Sequence, residues 1–405
     1  PPTPKDVEIL WKYLPNPGVG REEFHGIFLS RYRQLSQMLW KRPQLKSAIS
    51  ITNLKRVRDQ KEVAVIGMVQ TISPFKDGRK MLELEDPTGS INVLIPHAIP
   101  GADELVEDEV IGIVGGPGRD IIFANELIFP EVPTNNEWPS PQTNSKVAFI
   151  ADIHAGSKKF NSETWDNFVL WVNGRPDIKY VLIGGDLVDG IGLYKGQEEE
   201  LEVDTVEAEF DYLASLISQI NRDKQLIIIP GNHDPTNDSE PRQPIPREFA
   251  KPLYQQSNVR LLSDPSMVSL EGVSILLYHG TSMDGVIASI DSIRSTAYDQ
   301  PYQVQRQLLK KRHLSPIFGK NRLLPGNEDH LTIKTIPHVF FTGHIHTVGM
   351  SNYRGIRLIS AGSFQERTEF QKKLGHHPTP GKFVEMDLAT GTCQLIDFSG
   401  PVSPL

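Results

Sequence analysis

The chain of 405 residues contains a single cysteine, Cys393, so it cannot form an internal disulfide bond. Chains without disulfides are typical of reducing compartments. No apolar run approaches the ~20 residues that a membrane-spanning helix needs, and no secretory signal peptide is recognisable. We therefore expect a cytoplasmic protein with no membrane partner.

Basic residues are also outnumbered by acidic ones. The chain has 42 Lys and Arg residues and 50 Asp and Glu residues, which gives a net charge of −8. Such a balance does not indicate nucleic-acid binding through charge alone. Local basic clusters occur at residues 310–312 and 320–322, and a solvated surface is their favoured interpretation. Hydrophobic residues make up 38% of the chain, enough for ordinary cores. The length predicts two or three domains.

Five short apolar runs each end in side chains that bind metals. They read, in chain order, KVAFIADIH, YVLIGGDLVDG, QLIIIPGNHDP, SILLYHG and HVFFTGHIHT. Short apolar runs that are bounded by Gly or Pro predict buried strands. Because α/β proteins place their active sites at the carboxyl ends of such strands, we expect the polar side chains to converge along one rim of a sheet.

These polar side chains comprise two carboxylates, four imidazoles and one amide, which are enough to hold two divalent ions: Asp152, His154, Asp186, Asn232, His279, His344 and His346. Each motif alone has an ordinary explanation, such as a capped turn or a hydrogen-bonded core histidine. Coincidence explains the whole set poorly, because five of the 12 histidines lie among the polar residues that end these runs. Two divalent ions held this way predict hydrolysis of a phosphate ester.

The pattern DxH…GDxxD…GNHD…H…GHxH resembles the calcineurin-like metallophosphoesterase family over residues 145–365. The resemblance implies that one carboxylate, Asp186, bridges two metals. It implies three further ligands for the first metal, namely Asp152, His154 and His346. It implies three further ligands for the second metal, namely Asn232, His279 and His344. Mixed oxygen and imidazole ligands suit Mn, Fe or Zn and do not select among them.

The same resemblance implies a catalytic role for two residues that follow the third run. His233 matches a histidine that does not bind metal but stabilises the transition state or protonates the leaving oxygen. Asp234 is expected to orient the His233 ring, as carboxylates orient imidazoles near metal sites. Asp189 is interpreted as a turn residue or as an outer carboxylate of the site.

The region before the motifs divides into three parts. Residues 1–60 are predicted to be helical and irregular, with an amphipathic helix at residues 21–40 docked on the next domain. Residues 61–132 alternate apolar and polar residues in five segments and resemble an OB-fold barrel. Such barrels often bind single-stranded nucleic acid, but a protein-docking platform is an equally good interpretation because aromatic residues are few. Residues 133–145 are predicted to be a linker into a metallophosphoesterase domain at residues 146–405.

Two polar segments are predicted to lie near the metal rim. One is a long insertion at residues 281–336, and the other follows the last motif and reads GSFQERTEFQKKLGHHPTPGKF. Their candidate substrate contacts are Arg312, Phe364, Arg367 and Phe370. The last three are expected to stack on or contact a nucleic-acid end. The alternative is that both segments only cap the sheet or contact a partner.

The OB-like region, the intact phosphoesterase motifs, the insertion with HLSPIFG and the segment SFQERTEFQ together resemble the small subunits of archaeal family-D DNA polymerases. The fold class implied is α/β, a calcineurin-like β-sandwich flanked by helices and preceded by an all-β OB-fold domain. Related B-subunits of eukaryotic replicative polymerases share this layout but have lost the metal ligands, whereas every ligand residue is present here.

This resemblance implies a two-metal 3′→5′ DNA exonuclease that proofreads for a separate large polymerase subunit at the nucleoid. A hydroxide bridging the two metals would attack the terminal phosphodiester of DNA. Three alternatives stay open: a phosphatase or cyclic phosphodiesterase, a double-strand-break repair nuclease of the same superfamily, and a structural polymerase subunit. The repair nucleases usually carry their motifs near the N-terminus, and a structural subunit would be expected to lack ligands.

Overall fold

The N-terminal segment contains a strand as well as helix. The computed structural model describes residues 6–15, 24–56 and 60–400. Strand β1 (Val7–Lys12) pairs antiparallel with a strand at Ser266–Leu270. The prediction of a helical and irregular segment at residues 1–60 did not include this strand. Only Val7 of β1 is buried, so this edge strand, whose sequence is VEILWK, buries little of its apolar surface.

Helix α1 (Phe24–Leu39) agrees with the predicted amphipathic helix, whose first residues, 21–23, lie outside the described residues. Short 3₁₀ turns follow at Pro43–Leu45 and Ile51–Arg56. The apolar side of α1 presents Leu35 and Leu39 to a cluster that includes Ile66 and Val110. The helix thus covers the outside of the all-β region that follows it.

The all-β region is a closed five-stranded barrel. It consists of β2 (Val63–Pro74), β3 (Lys80–Asp86), β4 (Gly89–Ile95), β5 (Val110–Pro117) and β6 (Ile121–Ile128), with a 3₁₀ turn at Ala102–Glu104. The strand order is β2-β3-β4-β6-β5, and β2 and β5 pair to close the barrel. Only β4 and β6 are parallel. Alternate side chains such as Val65, Leu82 and Ile113 fill the interior.

The rest of the chain forms two six-stranded sheets with helices. Its elements are β7 (Lys146–Ile150), α2 (Ser162–Asn173), β8 (Ile178–Gly184), α3 (Val206–Ile217), β9 (Gln225–Ile229), α4 (Lys251–Tyr254), β10 (Val259–Leu261), β11 (Ser266–Leu270), β12 (Val273–Leu277), α5 (Met283–Ser289), α6 (Asp291–Arg294), α7 (Tyr302–Lys311), β13 (Val339–Thr342), β14 (Gly349–Tyr353), β15 (Ile356–Ser360), α8 (Glu369–Leu374), β16 (Lys382–Asp387) and β17 (Cys393–Asp397). Residues 133–145 contain neither helix nor strand.

The two sheets share one core and align the five predicted strands. Their orders are β10-β9-β8-β7-β16-β17 and β1-β11-β12-β13-β15-β14. Strands β7, β8 and β9 run parallel in one sheet, as do β12 and β13 in the other. Between the sheets, the rings of Phe149 and Phe341 meet with centroids 5.0 Å apart. The predicted mixed α/β architecture is confirmed, and each apolar motif is a strand that ends just before its polar residues.

The insertion at residues 281–336 covers the outer face of β12 and β13. Leu277 and Phe341 face the core between the sheets, whereas Leu276 and Phe340 belong to a second cluster formed with α5 and α7. Both faces of these strands are therefore buried, which explains their continuous apolar sequence. The apolar residues of α5 and α7 in the insertion therefore pack on the sheet.

Buried ion pairs join α1, the barrel and the insertion. The guanidinium of Arg31 is buried and lies 2.9 Å from the carboxylate of Asp329, which also accepts a hydrogen bond from His313 at 2.8 Å. Lys311, at the end of α7, lies 2.9 Å from the buried carboxylate of Glu109 beside the barrel. Because each buried charge has an opposite charge beside it, this arrangement specifies how the three parts meet.

We expect Asp329→Ala to lower the free energy of unfolding by about 3–5 kcal/mol, because Arg31 would stay buried without its partner. Urea denaturation followed by circular dichroism measures the change. The matched control is Asp238→Ala, which breaks the exposed pair of Arg322 and Asp238 and should change stability by less than about 1 kcal/mol. Equal losses in the two variants would contradict a stabilising role for the buried pair.

Candidate metal centre

The strand ends turn sharply to bring the predicted ligands together. Five of them occupy the left-handed backbone region, with φ of 55° for Asp152, 49° for His154, 47° for Asp186, 69° for His344 and 58° for His346. Such a conformation costs a non-glycine residue roughly 1–3 kcal/mol and persists only where surrounding contacts enforce it. Here backbone bonds link the turns, including His154 N to Asp186 O at 3.0 Å.

Two motif glycines are required by close packing at these turns. A Cβ atom on Gly231 would lie 2.2 Å from Oδ1 of Asp186, and one on Gly185 would lie 2.6 Å from Nδ1 of His279. Gly185 also has a positive φ of 94°. The glycines of the GD and GN motifs therefore make room for the ligands of the site.

A first cluster of buried side chains joins the ends of β7, β8 and β13. Asp152, His154, Asp186 and His346 each bring one ligand atom within 4.8 Å of the others. The two imidazole Nε2 atoms of His154 and His346 lie 3.1 Å apart, and Nε2 of His346 lies 3.5 Å from the carboxylate of Asp152. Four donor atoms that converge in this way have the chemistry of a site for a divalent cation.

A second cluster lies beside the first and shares one residue with it. Asp186, His279 and His344 bring ligand atoms within 4.8 Å of one another. Oδ1 of Asn232 lies 3.1 Å from Nε2 of His279, which is itself 3.3 Å from Oδ2 of Asp186. Among the described residues, Asp186 alone belongs to both of these clusters, so it is placed to bridge two cations.

The outer hydrogen bonds orient two of the imidazoles for metal binding. Nδ1 of His279 lies 2.8 Å from the carbonyl of Gly184, which can only accept, so Nδ1 carries the proton and Nε2 is left as a ligand. Nδ1 of His154 lies 2.9 Å from the carboxylate of Asp189, which also accepts from Gln365 at 2.8 Å. Asp189 is therefore an outer carboxylate that holds His154, the second of its two predicted interpretations.

Asp284 is a site residue that the sequence analysis missed. Its Oδ2 lies 2.9 Å from Nε2 of His344, which leaves Nδ1 of that ring for the centre, and its Oδ1 accepts from the hydroxyl of Tyr298 at 2.8 Å. Asp284 lies in the first turn of α5, where an acidic residue is common in any helix. No sequence signal therefore distinguished it from an ordinary helix-terminal carboxylate.

The pKa values of three imidazoles at the site are displaced in different directions. Burial lowers the pKa of His154, but its hydrogen bond to Asp189 raises it to about 9. Burial likewise opposes the effect of Asp284, which raises the pKa of His344 to about 9. Burial, together with the neighbouring His154, holds the pKa of His346 well below its ordinary value. Neighbouring rings are thus pushed towards opposite protonation states.

The pKa values of the two carboxylates, Asp152 and Asp186, are displaced in opposite directions. Burial and the charge of Asp186 raise the pKa of Asp152 well above its ordinary value. Burial opposes ionisation of Asp186, but the charges of His279 and His233 hold its pKa well below the ordinary value. Cations between these groups would satisfy both carboxylates together, and the residues present therefore fit metal binding.

His233 is held beside the clusters by the chain itself. Its backbone N–H donates to Oδ1 of Asp186 at 2.8 Å, and its Nδ1 lies 2.7 Å from the carbonyl of Asp189. Its Nε2 lies 4.0 Å from Oδ2 of Asp186, and 23% of its side chain is exposed. The imidazole therefore presents Nε2 to the space above the clusters, where a substrate can reach it.

The expected contact between Asp234 and His233 is wrong. The carboxylate of Asp234 is buried and accepts from three backbone N–H groups, those of Gly231 at 2.7 Å, Leu187 at 3.0 Å and Val188 at 3.3 Å. Asp234 therefore joins the turn after β9 to the turn after β8. Its oxygens are engaged by the backbone, and the carbonyl of Asp189 orients His233 instead.

Two of the four predicted substrate contacts, Phe364 and Arg312, are also wrong. Phe364 is fully buried, and its ring lies 4.4 Å from that of Phe383 and 5.1 Å from that of Trp165, between centroids. Arg312 is buried and donates to the carbonyls of Ile333 and Lys334 at 2.8 and 2.9 Å. The polar sequence around Phe364 and Arg312 did not indicate that they are buried, because residues distant in the chain bury them.

Arg367 is placed differently. It is half-buried in the segment before α8, and its Nε is buried without a hydrogen-bond partner. Arg367 also lies close enough to His376 to lower the pKa of that imidazole, although burial is the larger cause. It stays a candidate substrate contact.

The comparisons with known proteins agree on one family. A sequence profile for the B-subunit of DNA polymerases alpha and epsilon matches residues 147–348. The DNA polymerase II small subunit of Methanothermobacter thermautotrophicus is 38% identical over 387 residues, which cover 92% of this chain and 78% of that protein. Those of Archaeoglobus fulgidus and Thermoplasma acidophilum are 36% and 34% identical, covering 89% and 98% of this chain and 74% and 82% of those proteins.

A solved structure described as a novel archaeal phosphodiesterase is 13% identical, with a TM-score of 0.32, and covers 62% of this chain and 99% of its own. A likeness this low does not bear on the fold or the function of this chain. Within the ranges that the structure describes, no helix is long and apolar enough to cross a membrane.

The fold and the site define a mixed α/β protein that carries a closed barrel and a buried His/Asp centre able to bind metal. The sequence identities to its relatives define its family more closely. The chain belongs to the family of DNA polymerase II small subunits, and the predicted resemblance to archaeal polymerase small subunits is confirmed.

We expect Asp186→Asn to reduce metal binding at both clusters, whereas His154→Ala should empty mainly the first, because only Asp186 belongs to both. Elemental analysis after loading with Mn²⁺ counts the ions per chain. Asp238→Asn, at an exposed position, is the control for loss of a carboxylate. Two fully retained ions in Asp186→Asn would show that Asp186 is not the bridge.

Proposed function

We propose that this chain is a two-metal phosphodiesterase, specifically a 3′→5′ exodeoxyribonuclease that proofreads for a replicative DNA polymerase. The observation that carries the proposal is the carboxylate of Asp186 shared by two ligand clusters, with His233 beside it. The family supports DNA as the substrate class, because the relatives are named as DNA polymerase subunits.

We further propose that the sandwich is of the calcineurin-like metallophosphoesterase type and that the barrel is an OB fold. The barrel has five strands in the order β2-β3-β4-β6-β5, with only β4 and β6 parallel. An OB fold is a five-stranded Greek-key barrel that supports nucleic-acid or protein binding. The barrel surface does not select between these two uses.

The reaction proposed is hydrolysis of the last phosphodiester bond. When bound, two divalent ions supply Lewis acidity that polarises the phosphoryl group and makes water a better nucleophile. Water adds to phosphorus, and the bond from phosphorus to the 3′ oxygen of the preceding nucleotide breaks. A nucleoside 5′-monophosphate leaves, and the shortened strand regains a 3′ hydroxyl.

In this reaction the chain positions groups and moves a proton. The side chains of the two clusters hold the ions, and Asp189 and Gly184 hold two of the imidazoles in place. With Nδ1 of His233 donating to the carbonyl of Asp189, protonated Nε2 is free to donate to a phosphoryl oxygen or to the leaving 3′ oxygen. The carbonyl of Asp189 thus keeps the proton donor aimed at the reacting phosphate.

The alternatives predict different substrates or none. A phosphatase or cyclic phosphodiesterase would hydrolyse small phosphate esters in preference to DNA, and a repair nuclease would cut duplex ends without a polymerase partner. A structural subunit needs no converging ligands. The convergence of all predicted ligands favours an enzyme over that last alternative.

We expect His233→Ala to lower exonuclease turnover by ~10²–10³-fold, the loss typical when one transition-state donor is removed, while both metals still bind. Release of nucleotide from single-stranded DNA labelled at the 3′ or the 5′ end measures turnover, and elemental analysis counts the metals. His97→Ala changes an exposed barrel histidine and serves as control. Near-normal turnover in His233→Ala, or loss of a metal, would remove His233 from the proposed role.

We also propose that the chain assembles with a large polymerase subunit that supplies most of the DNA affinity. The relatives are named as small subunits, and the acidic chain offers little general attraction to DNA. We expect a stable heterodimer with an interface above ~1,200 Å², detected by co-purification and by size-exclusion chromatography with light scattering. A lone monomer that binds single-stranded DNA tightly at physiological salt would contradict this assembly.

A further inference from the structure

We infer that residues 367–377, here called the α8 rim, form the platform on which a single DNA strand lies as its 3′ end enters the metal centre. This inference rests on the proposed function and names the part of the chain that binds its substrate. Four observations carry it: contact with the metal centre, an exposed apolar face, positive charge, and a buried guanidinium nitrogen without a partner.

The α8 rim touches the metal centre directly at one residue and is linked to it indirectly through another. Nε2 of Gln371 lies 3.1 Å from Nδ1 of the predicted ligand His346. The ring of His376 stacks on that of Tyr298, with centroids 3.9 Å apart, and Tyr298 donates to the carboxylate that holds His344. A strand that lies on the rim therefore has its end within reach of both clusters.

The outer face of the rim is apolar and uncovered. Phe370 is 67% exposed, the highest value for an aromatic residue in the part of the chain that the structure describes, and Leu374 is 54% exposed. Residues four apart share one face of a helix, so the two side chains form a continuous surface. A base can stack on such an aromatic side chain only when it is unpaired, which favours a single strand over a duplex.

The charge around this face is positive although the chain is acidic. The rim contains Arg367, Lys372 and Lys373 against one acidic residue, Glu369, and both lysines are exposed. Glu369 lies 2.6 Å from Lys372, but this ion pair is exposed and therefore weak, so both lysines and Arg367 can contact other anions. Cations on either side of an exposed aromatic ring match the alternation of bases and phosphates in a DNA strand.

Arg367 supplies the most specific of these charges. Its Nε is buried and has no hydrogen-bond partner, a state that leaves a charged donor unsatisfied in the protein alone. A phosphate oxygen would satisfy it, because guanidinium groups bind phosphate through paired N–H donors. The rim thus combines a stacking surface with a phosphate contact next to the predicted catalytic centre.

The decisive variant is Phe370→Ala, tested in the full chain and in its complex with the large subunit. Fluorescence anisotropy with a labelled single-stranded oligonucleotide, in Ca²⁺ to prevent cleavage, measures the dissociation constant. We expect binding to weaken roughly 10- to 100-fold, the range that loss of one base–aromatic stack gives, and Phe370→Trp to restore it. Leu170→Ala, at a 71% exposed apolar position on α2, is the matched control and should bind as the unaltered chain does.

The charged residues are tested by the salt dependence of the same binding. Replacing Lys372 and Lys373 together by Ala should reduce the slope of log affinity against log salt by about 1.4, since each contact to a single strand contributes ~0.7. Lys251→Ala, an exposed lysine of α4, is the control for loss of positive charge. An unchanged slope would remove these lysines from the DNA contact.

Hydrolysis separates failure of the inference from failure of the proposed function. With the unaltered chain as reference, Phe370→Ala should lose more activity on the oligonucleotide than on the small diester thymidine 5′-(p-nitrophenyl phosphate). If the unaltered chain hydrolyses neither substrate, the proposed function fails, and the anisotropy comparison still decides the role of the rim. Unchanged oligonucleotide binding by Phe370→Ala overturns the inference, and so does loss of large-subunit binding without loss of DNA binding.

Discussion

The whole centre depends on one electrostatic constraint, the crowding of buried carboxylates and imidazoles at the edge of two sheets. Asp186 belongs to both clusters. Burial and the charge of Asp186 raise the pKa of Asp152, whereas nearby histidines hold the pKa of Asp186 low against its own burial. The backbone enforces the crowding through left-handed turns at the strand ends. Metal binding is therefore expected to stabilise these turns as well as to serve chemistry, because ligand convergence and folding are linked.

The strands and most of the ligands were predictable because their signals are local. Each apolar run is a buried strand, and each polar residue after it lies at the carboxyl end of that strand, where parallel strands meet. The barrel was predictable for the same reason, since alternation and turn residues act over a few positions. The division of the candidate ligands into two clusters was predicted from the resemblance of the ordered motifs to the metallophosphoesterase family.

The remaining features were not predictable because distant contacts decide them. Phe364 resembles a surface aromatic residue in a polar segment, but three neighbouring aromatic rings bury it. Arg312 follows two lysines, but its guanidinium is satisfied by carbonyls about twenty residues away. Asp284 acquires its role only when the insertion brings α5 against His344. In each case the sequence gives the residue type but does not indicate which distant residues it contacts in the fold.

The position of strand β13 between two cores links unfolding to metal binding. Phe340 and Phe341 are joined by one peptide bond but belong to different cores, one beneath the insertion and one between the sheets. Loosening of either core exposes the same strand, and the turn that carries His344 and His346 follows directly from it. We therefore expect that opening of either core disturbs the turn that carries His344 and His346 and weakens metal binding there.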